Sequence, residues 1–529
     1  MTLDRKVGQL FMPGINGQRI TDEISALIKE NYLGGIILFG GKNVMGRAQS
    51  AKFTADLQRV AMENGGVPLL ISIDQEGGVG SHVNLVTGGV DTVGNLALGA
   101  STDVNDTYLS YAIMADDLRA YGINMDLAPV LDVLLNKDNT MNHIRSFGAG
   151  PEAVSERAVA AVKGLQDNGV VACVKHFPGK GDTPVDSHHS APVTDEDRET
   201  LERTILAPFR AAVGAGADSV MINHEIYTAL DPGVVATVSE PIITGLLKDE
   251  MGFEGLVITD SITMGGVTET MSAVGAAYLS IKAGADMVLF AGDSPKSYVD
   301  SIALIKEKIA GGELSMERVD DAVRRILRVK KKYGLFDNPA PTPADEYRER
   351  AEKNLAESRR IARNTITVVK NNGVLPLDRD GAERILVVCP GSYFTVPLME
   401  MVFPVGTSLA SKMKKVAPGV KVVTYDLKSL ERDTAKALEQ SEEADTIVFG
   451  SIHAYWSPEI AEFAGKLIDT GKKFVGVGLS VPYDLEKFPE ADAFIAAYNP
   501  RSVSLEAAVE VLFGRTEARG VLPVGVKIE

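Results

Sequence analysis

The chain is predicted to be an α/β protein with an N-terminal TIM-type (β/α)8 barrel, followed by a smaller doubly wound α/β sandwich domain. Three observations predict this architecture. At 529 residues the chain is too long for a single core. Its apolar runs are continuous rather than alternating, as in strands that are buried on both faces. Eight such runs alternate with amphipathic segments before residue 335, as in successive βα units.

The barrel strands are expected where short runs rich in Val, Ile and Leu occur. These runs are residues 7–12, 35–39, 69–74, 123–127, 170–176, 219–223, 256–260 and 287–290. The segments between them have the spacing of helices with one apolar face. They include residues 20–32, 48–63, 106–121, 152–168, 195–214 and 273–283.

A Pro-rich segment at residues 338–343 separates the barrel from the rest of the chain, and a charged helix is expected at 345–362. We therefore divide the chain into a barrel (1–335), a linker with its connecting helix (336–365) and an α/β sandwich (366–529). The strands of the sandwich are expected at 385–389, 420–425, 446–450, 474–478 and 493–497. This domain has no GxGxxG or Walker motif, so we do not expect it to bind nucleotides.

Charge and composition exclude several classes of function. The net charge of −17 disfavours binding to nucleic acid or to an anionic membrane. No stretch approaches the ~20 apolar residues of a membrane span, and the N-terminus has no signal-peptide core, so a cytoplasmic location is expected, with a secreted mature form left open. Cys173 and Cys389 lie in apolar runs and are expected to be buried hydrophobes. The sequence does not indicate the oligomeric state.

Polar residues follow the ends of several predicted strands. Asp74, Lys175, His176 and Asp260 occupy such positions. Because the carboxyl ends of the strands form the mouth of a barrel, where active sites lie, these side chains are expected to meet there. An acidic residue such as Asp260 at the end of a buried strand must be hydrogen-bonded, paired or functional.

The loop after the fifth strand contains Asp186 and His188. A carboxylate two residues from an imidazole can orient the ring, and the ring can then act as a general acid or base. The alternative is a purely structural loop contact. A zinc site with the nearby His176, Asp182 and His189 is a further alternative, although the spacing matches no standard site.

Four other side chains have two interpretations each. Asp126 could face the mouth or the barrel interior, and His224 could line the pocket or be a hydrogen-bonded core histidine. Arg145 and Lys175 could hold a polar ligand or neutralise the acidic residues.

Taken together, the motifs resemble glycoside hydrolase family 3, and in particular its β-N-acetylhexosaminidase branch. Segments 372–377 and 481–485 resemble the second domain of that family, so the likeness spans nearly the whole chain. The barrel segments that carry it are 124–133, Asp74-Gln75-Glu76-Gly77-Gly78, Arg145-Ser146-Phe147-Gly148, Lys175-His176-Phe177-Pro178-Gly179, Asp186-Ser187-His188 and Thr259-Asp260-Ser261-Ile262-Thr263-Met264.

The resemblance implies a retaining mechanism that needs no metal or organic cofactor. It makes Asp260 the nucleophile and His188, assisted by Asp186, the general acid/base. The implied substrate is a small carbohydrate, with terminal non-reducing N-acetylglucosamine (GlcNAc) removed from peptidoglycan fragments or chito-oligosaccharides. The residues that would hold the hydroxyls of that sugar are Asp74, Arg145, Lys175 and His176.

The chain departs from the family pattern at Val79 and His82, where Arg is usual, and at Lys180, where His is frequent. These departures bear on the substrate rather than on the reaction type. The alternatives are a β-glucosidase or other family 3 glycosidase, a GlcNAc phosphorylase that uses the same residues, and a sugar-binding protein on a catalytically silent barrel. His453 and Trp456 in the second domain are interpreted as interdomain packing, with a sugar-stacking surface as the alternative.

Overall fold

The computed structural model describes residues 1–84, 86–140, 142–180, 183, 190–292, 295–378, 384–394 and 400–528. Within these ranges, the first part of the chain contains ten strands and a ring of helices. The strands are β1 (Phe11–Pro13), β2 (Gly35–Ile37), β3 (Leu70–Ile73), β4 (Met125–Asp126), β5 (Val171–Phe177), β6 (Val193–Thr194), β7 (Ser219–Ile222), β8 (Ile226–Tyr227), β9 (Leu256–Thr259) and β10 (Val288–Phe290).

Eight of these strands form a closed parallel barrel, as predicted. β2, β3, β4, β5, β7 and β9 lie side by side, and β1 pairs with β10. The bridges Gly14–Ile37 and Ile258–Met287 join the two groups into a ring. The remaining strands, β6 and β8, form a small parallel pair beside the barrel.

Helices cover the outside of the barrel. Between β8 and β9 lies a π-helix, Pro241–Glu250. The α-helices are α1 (Leu3–Gln9), α2 (Asp22–Asn31), α3 (Arg47–Glu63), α4 (Asn95–Ala100), α5 (Asn105–Ala120), α6 (Pro151–Gln166), α7 (Arg198–Arg203), α8 (Ala207–Gly214), α9 (Gly265–Thr268), α10 (Ala273–Ala283), α11 (Pro295–Ala310) and α12 (Met316–Lys332).

Two predicted elements differ from the structure by more than a small shift of their ends. The first half of the strand expected at 7–12 belongs to the helix α1, because the Thr2 side chain accepts the Arg5 amide and caps a helix there. The strand itself begins at Phe11. The single helix expected at 195–214 is divided into α7 and α8. Pro208, in the first turn of α8, has no amide hydrogen to continue the preceding helix.

The second domain is a six-stranded mixed sheet with helices on both faces, in agreement with the predicted doubly wound architecture. The sheet order is β11-β18-β17-β16-β12-β15, and only the edge strand β11 is antiparallel to its neighbour. The elements are the connecting helix α13 (Ala344–Thr365), β11 (Thr367–Asn371), β12 (Ile385–Pro390), β13 (Ser392–Phe394), β14 (Glu400–Val402), α14 (Leu409–Val416), β15 (Lys421–Tyr425), α15 (Leu430–Ser441), β16 (Thr446–Ser451), α16 (Pro458–Ile468), β17 (Lys473–Gly478), β18 (Ala493–Ala496) and α17 (Ser502–Leu512).

The two domains make specific contacts. The helix α13 packs on α5 of the barrel and on α17 of the second domain. Arg501 Nε donates a hydrogen bond of 2.9 Å to the carbonyl of Gly78, in the loop that follows β3. The ring of His143 in the barrel lies 5.2 Å from that of Trp456 and 5.5 Å from that of His453, which confirms that these residues take part in interdomain packing.

Cys173 and Cys389 are buried in β5 and β12, as predicted. In the described part of the chain, no helix combines the length and the apolar character needed to cross a membrane.

Candidate active site

A cavity of about 260 Å³ opens at the carboxyl ends of the barrel strands. This is the end of the barrel at which the polar residues were expected to meet. Five of the seven predicted site residues line the cavity, namely Asp74, Arg145, Lys175, His176 and Asp260. Among the described residues, the whole lining comes from the barrel domain.

A network of four charged side chains occupies one wall of the cavity. Arg145 makes a bidentate pair with Glu76, with two hydrogen bonds of 2.8 Å. Lys175 Nζ lies 2.7 Å from Glu76 Oε1 and also binds Asp74. Burial opposes the ionisation of Glu76, but Arg145 and Lys175 outweigh it and lower its pKa far below the ordinary range. Glu76 is therefore ionised at neutral pH, and the two cations that pair with it are fixed in position.

His176 is held by Asp132 at the back of the same wall. His176 Nδ1 lies 2.7 Å from Asp132 Oδ2, and Arg145 lies 3.5 Å from His176 Nε2. Because a guanidinium can only donate, Nε2 acts as an acceptor and Nδ1 carries the hydrogen. Asp132 Oδ1 also accepts the backbone amides of His176 and Lys180, so one buried carboxylate fixes both the imidazole and the start of the next loop.

Asp260 lies on the opposite side, directly after β9. Its Oδ1 accepts the Ser261 amide at 2.7 Å, and its Oδ2 lies 3.7 Å from Lys180 Nζ. Burial raises the pKa of Asp260, but Lys180, His224 and the Ser261 amide outweigh it and hold the pKa at about 2. The carboxylate is thus ionised over the whole range in which an enzyme would work, and part of it faces the cavity.

The predicted acid/base pair, Asp186 and His188, lies outside the described residues, as do Asp182 and His189 of the alternative zinc site. In the ranges that the structure does describe, no group of three or more His, Cys, Asp or Glu side chains is arranged to hold a metal ion. The roles of Asp186 and His188 stay predictions.

Two residues with open interpretations are now placed in the protein interior. His224 is fully buried, and its ring contacts Thr237 and the carbonyl of Ser261, so it is a hydrogen-bonded core histidine. Asp126 is also fully buried and accepts the Gln75 amide. Burial raises the pKa of Asp126 well above its ordinary value.

The residue-by-residue predictions missed Glu225, which lines the cavity after β7. Its Oε2 accepts the Tyr227 hydroxyl at 3.1 Å. Burial raises the pKa of Glu225 to about 8, although Lys180 opposes this shift. A carboxyl group that is protonated at neutral pH is therefore available in the cavity as a proton donor.

Glu76, Asp132, Asn142 and His82 were also not assigned as site residues. Glu76 and Asp132 lie inside two of the segments that resemble the family, 74–78 and 124–133, so their position could have identified them as site residues. Asn142 had no such signal. Its side-chain amide donates to the carbonyl of Lys180, and its Oδ1 is enclosed without a hydrogen-bond partner among the described residues.

Comparison with known proteins gives a consistent result. Residues 2–329 match the model of the glycosyl hydrolase family 3 N-terminal domain. The chain is 29% identical to beta-hexosaminidase A of Pseudoalteromonas piscicida, over 95% of this chain and 91% of that protein. It is 33% identical to a beta-N-acetylglucosaminidase/beta-glucosidase of Cellulomonas fimi, over 73% and 67% of the two chains. The structure of a family 3 beta-N-acetylglucosaminidase from Paenibacillus sp. str. FPU-7 superposes with a TM-score of 0.93 at 34% identity and covers 100% of both chains.

Proposed function

Because the chain belongs to glycoside hydrolase family 3 and is a glycosidase of the β-hexosaminidase type, we propose that it is a retaining, exo-acting β-N-acetylglucosaminidase. It removes terminal non-reducing GlcNAc from peptidoglycan fragments or chito-oligosaccharides. The observation that carries the proposal is an ionised Asp260 carboxylate facing a small cavity whose opposite wall is the Asp74–Lys175–Glu76–Arg145 network.

The reaction begins at the anomeric carbon. An oxygen of Asp260 forms a bond to C1, and the bond from C1 to the leaving oxygen breaks. The general acid, for which we propose His188, gives that oxygen its proton. In the second half, water attacks C1, the base takes the proton of that water, and the bond from C1 to Asp260 breaks. The pKa of about 2 suits Asp260 to both steps, since the carboxylate is always ionised and leaves readily.

The charged network is suited to hold the sugar. Asp74 is partly exposed to the cavity, whereas Lys175 and Glu76 are nearly fully buried. Charge-assisted hydrogen bonds to sugar hydroxyls are strong, and here they require no rearrangement of the protein. Arg145 and His176 extend the same wall, so one sugar unit can be held from several sides. The small cavity fits the removal of a single terminal residue.

Two polar groups suit the remaining positions of the sugar. Asn142 is one of the residues that line the cavity, and we assign the N-acetyl group of the sugar to its side. His82 Nδ1 accepts the Gly40 amide at 3.1 Å, so the hydrogen of its ring is on Nε2. Burial lowers the pKa of His82, and a neutral N–H donor thus replaces the arginine usual in the family.

Substrate choice provides the direct test. We expect kcat/KM for p-nitrophenyl-β-GlcNAc to exceed that for p-nitrophenyl-β-glucose by at least about tenfold, because a site with polar groups for the acetamido group leaves them unpaired when glucose binds. Steady-state kinetics of the full-length chain on both substrates measures this ratio. A ratio below one would favour the β-glucosidase alternative. Binding of GlcNAc with no turnover of either substrate would favour a catalytically silent barrel.

Phosphorolysis is a second candidate reaction, and Lys180 is the observation that favours it. Its ammonium group lies 3.7 Å from Asp260, where it could hold a phosphate anion for attack on C1 of the glycosyl–Asp260 ester. The C1–oxygen bond to Asp260 would break, and GlcNAc 1-phosphate would be released.

The two reactions are separated by their products. With phosphate as the acceptor, we expect added inorganic phosphate to accelerate turnover and sugar 1-phosphate to accumulate, and we expect Lys180→Ala to abolish that acceleration. Lys180→Arg, which keeps the charge, is the matched control. If wild-type protein releases only free GlcNAc in phosphate buffer, hydrolysis is the reaction.

A further inference from the structure

The sheet of the second domain contains a topological switch point, at which the chain stops adding strands on one side of β12 and begins to add them on the other. β12 and β16 are neighbours in the sheet. The helix that leaves β12, α14, packs with α17, whereas the helix that leaves β16, α16, packs with α15. With right-handed connections, this strand order places the two pairs of helices on opposite faces. In open α/β sheets, the crevice at such a point, beyond the carboxyl ends of the strands, is where ligands bind.

A cavity of about 310 Å³ lies at this point, and we call it the second cavity. Its lining includes the last residues of β12 and β15, Pro390 and Tyr425, and the residues His453 and Trp456 between β16 and α16. The barrel closes the opposite side with its loop at His143. The second cavity is thus built from both domains, although it is separate from the cavity at Asp260.

Two features of the lining are those of a ligand site rather than of passive packing. The indole N–H of Trp456 is enclosed, yet it has no hydrogen-bond partner among the described residues. His453 has a φ of 61°, a left-handed conformation that is uncommon for residues other than glycine and that concentrates at functional sites.

The chemistry of the lining indicates the class of ligand. Aromatic rings of Tyr393, Tyr425, His143, His453 and Trp456 surround it, with polar groups from Ser392, Asp426, Lys428 and Ser457. Burial lowers the pKa of His453 to about 4 and that of His143 well below its ordinary value, so both rings are neutral at neutral pH. Asp426 and Lys428 contribute one charge of each sign, which gives no net attraction for an ion.

A pyranose ring matches this lining, because its C–H face packs on aromatic rings while its hydroxyls bind polar groups at the edge. We propose that the second cavity is a saccharide-binding site that holds one neutral pyranose, apart from the cavity at Asp260. The assignment follows from the lining of the second cavity and does not depend on the activity proposed above.

A single loop lies between the two cavities. Asn139, Asn142 and Arg145 line the cavity at Asp260, whereas Thr140 and His143 line the second cavity. A sugar in the second cavity therefore contacts the loop that carries Arg145.

The test uses Trp456, the one tryptophan of the chain, as its reporter. GlcNAc and N,N′-diacetylchitobiose are titrated into full-length Asp260→Asn protein, in which no ligand is consumed, while tryptophan emission is recorded. Equilibrium dialysis with labelled GlcNAc counts the sites. We expect a saturable change in emission and two equivalents of GlcNAc per chain. Sorbitol, a polyol without a ring, is expected to give no change.

Two variants separate the cavities. Ser457→Phe adds a ring to the second cavity, and because Ser457 makes no capping hydrogen bond to α16, its replacement leaves the start of that helix intact. We expect this variant to lose one equivalent of GlcNAc and the emission change, while Ser457→Ala keeps both. Asp74→Asn, in the other cavity, is expected to lose the other equivalent and to keep the emission change.

Some results would overturn the proposal. These are a number of GlcNAc equivalents that Ser457→Phe leaves unchanged, or an emission change that is lost in Asp74→Asn and kept in Ser457→Phe. Turnover of p-nitrophenyl-β-GlcNAc is measured separately, so absence of the activity and absence of the second site are distinguished. In an otherwise wild-type chain, Ser457→Phe is expected to change kcat for this substrate by less than about twofold.

Discussion

Replacing Asp260 by Asn is expected to lower kcat for p-nitrophenyl-β-GlcNAc by about 10⁴-fold or more. An amide has no negative charge with which to form the covalent ester or to stabilise the positive charge that develops at C1. The effect should fall on kcat rather than on KM, because Asp74, Lys175 and Arg145, which we propose hold the sugar, are unchanged in this variant. The variant should also fold, since the Asn side-chain oxygen can still accept the Ser261 amide.

Three measurements check this expectation. Steady-state kinetics gives the loss in kcat, with Asp345→Asn as the matched control, because that side chain is 92% exposed at the start of α13. Thermal melting verifies that both variants are folded. A 5-fluoro-GlcNAc donor, or a 2-deoxy-2-fluoroglucosyl donor in which fluorine takes the place of the acetamido group, should label Asp260 in the wild-type chain, as peptide mapping will show. Near-normal turnover by Asp260→Asn, or a label on another residue, would remove Asp260 from the role of nucleophile.

Replacing His188 by Ala is expected to lower kcat/KM about 10²- to 10⁴-fold on substrates with poor leaving groups. Such leaving groups need a proton as they depart, whereas p-nitrophenolate needs little help. The loss should therefore shrink as the leaving group improves. Azide, which attacks C1 in the second step in place of the base-activated water but cannot protonate the leaving group in the first, should not restore the wild-type rate on poor leaving groups.

Glu225 is the competing proton donor, and the matched variant Glu225→Gln distinguishes the two. With His188 as the acid, the basic limb of the kcat/KM profile should lie at or above the ordinary histidine pKa of ~6.5, because Asp186 in its predicted role would stabilise the charged ring. That limb should persist in Glu225→Gln. Asp260, with a pKa of about 2, contributes no acidic limb in the accessible range.

The opposite pattern would assign the role to Glu225. In that case the basic limb lies near pH 8, where the buried carboxyl loses its proton, and it disappears in Glu225→Gln. His188→Ala would then behave like the wild type on all leaving groups. The pH profiles of the two variants, measured on one good and one poor leaving group, separate these results.

Most of the fold could be predicted from local patterns. A strand that is buried on both faces must be apolar throughout, so most strands of the barrel and of the second sheet were recognisable as apolar runs. The strands β6, β8, β11, β13 and β14 were not predicted. The first strand was misplaced because an apolar run of a few residues does not distinguish a strand from a buried helical turn. The helix forms there because Thr2 caps its first turn. Thr2 lies outside the apolar run, so the run itself did not show this.

The orientation of side chains beyond the strand ends was harder to predict. In extended chain, successive side chains point to opposite sides. After β7, His224 turns into the protein interior and the next residue, Glu225, lines the cavity. The sequence shows that both residues are polar. A shift of one residue in the position at which the strand ends would reverse which of the two faces the cavity.

The sequence by itself determined which residues stand at the mouth of the barrel, because the order of strands and the position after each strand are properties of the chain. It also carried the motifs of the family. The tertiary structure alone decided how those residues pair. Arg145 and Glu76 are 69 positions apart, and Lys175 and Asp74 are 101 apart. The low pKa values that keep Glu76 and Asp260 ionised depend on cations that lie a few ångströms away across the barrel. No local sequence pattern encodes such distances.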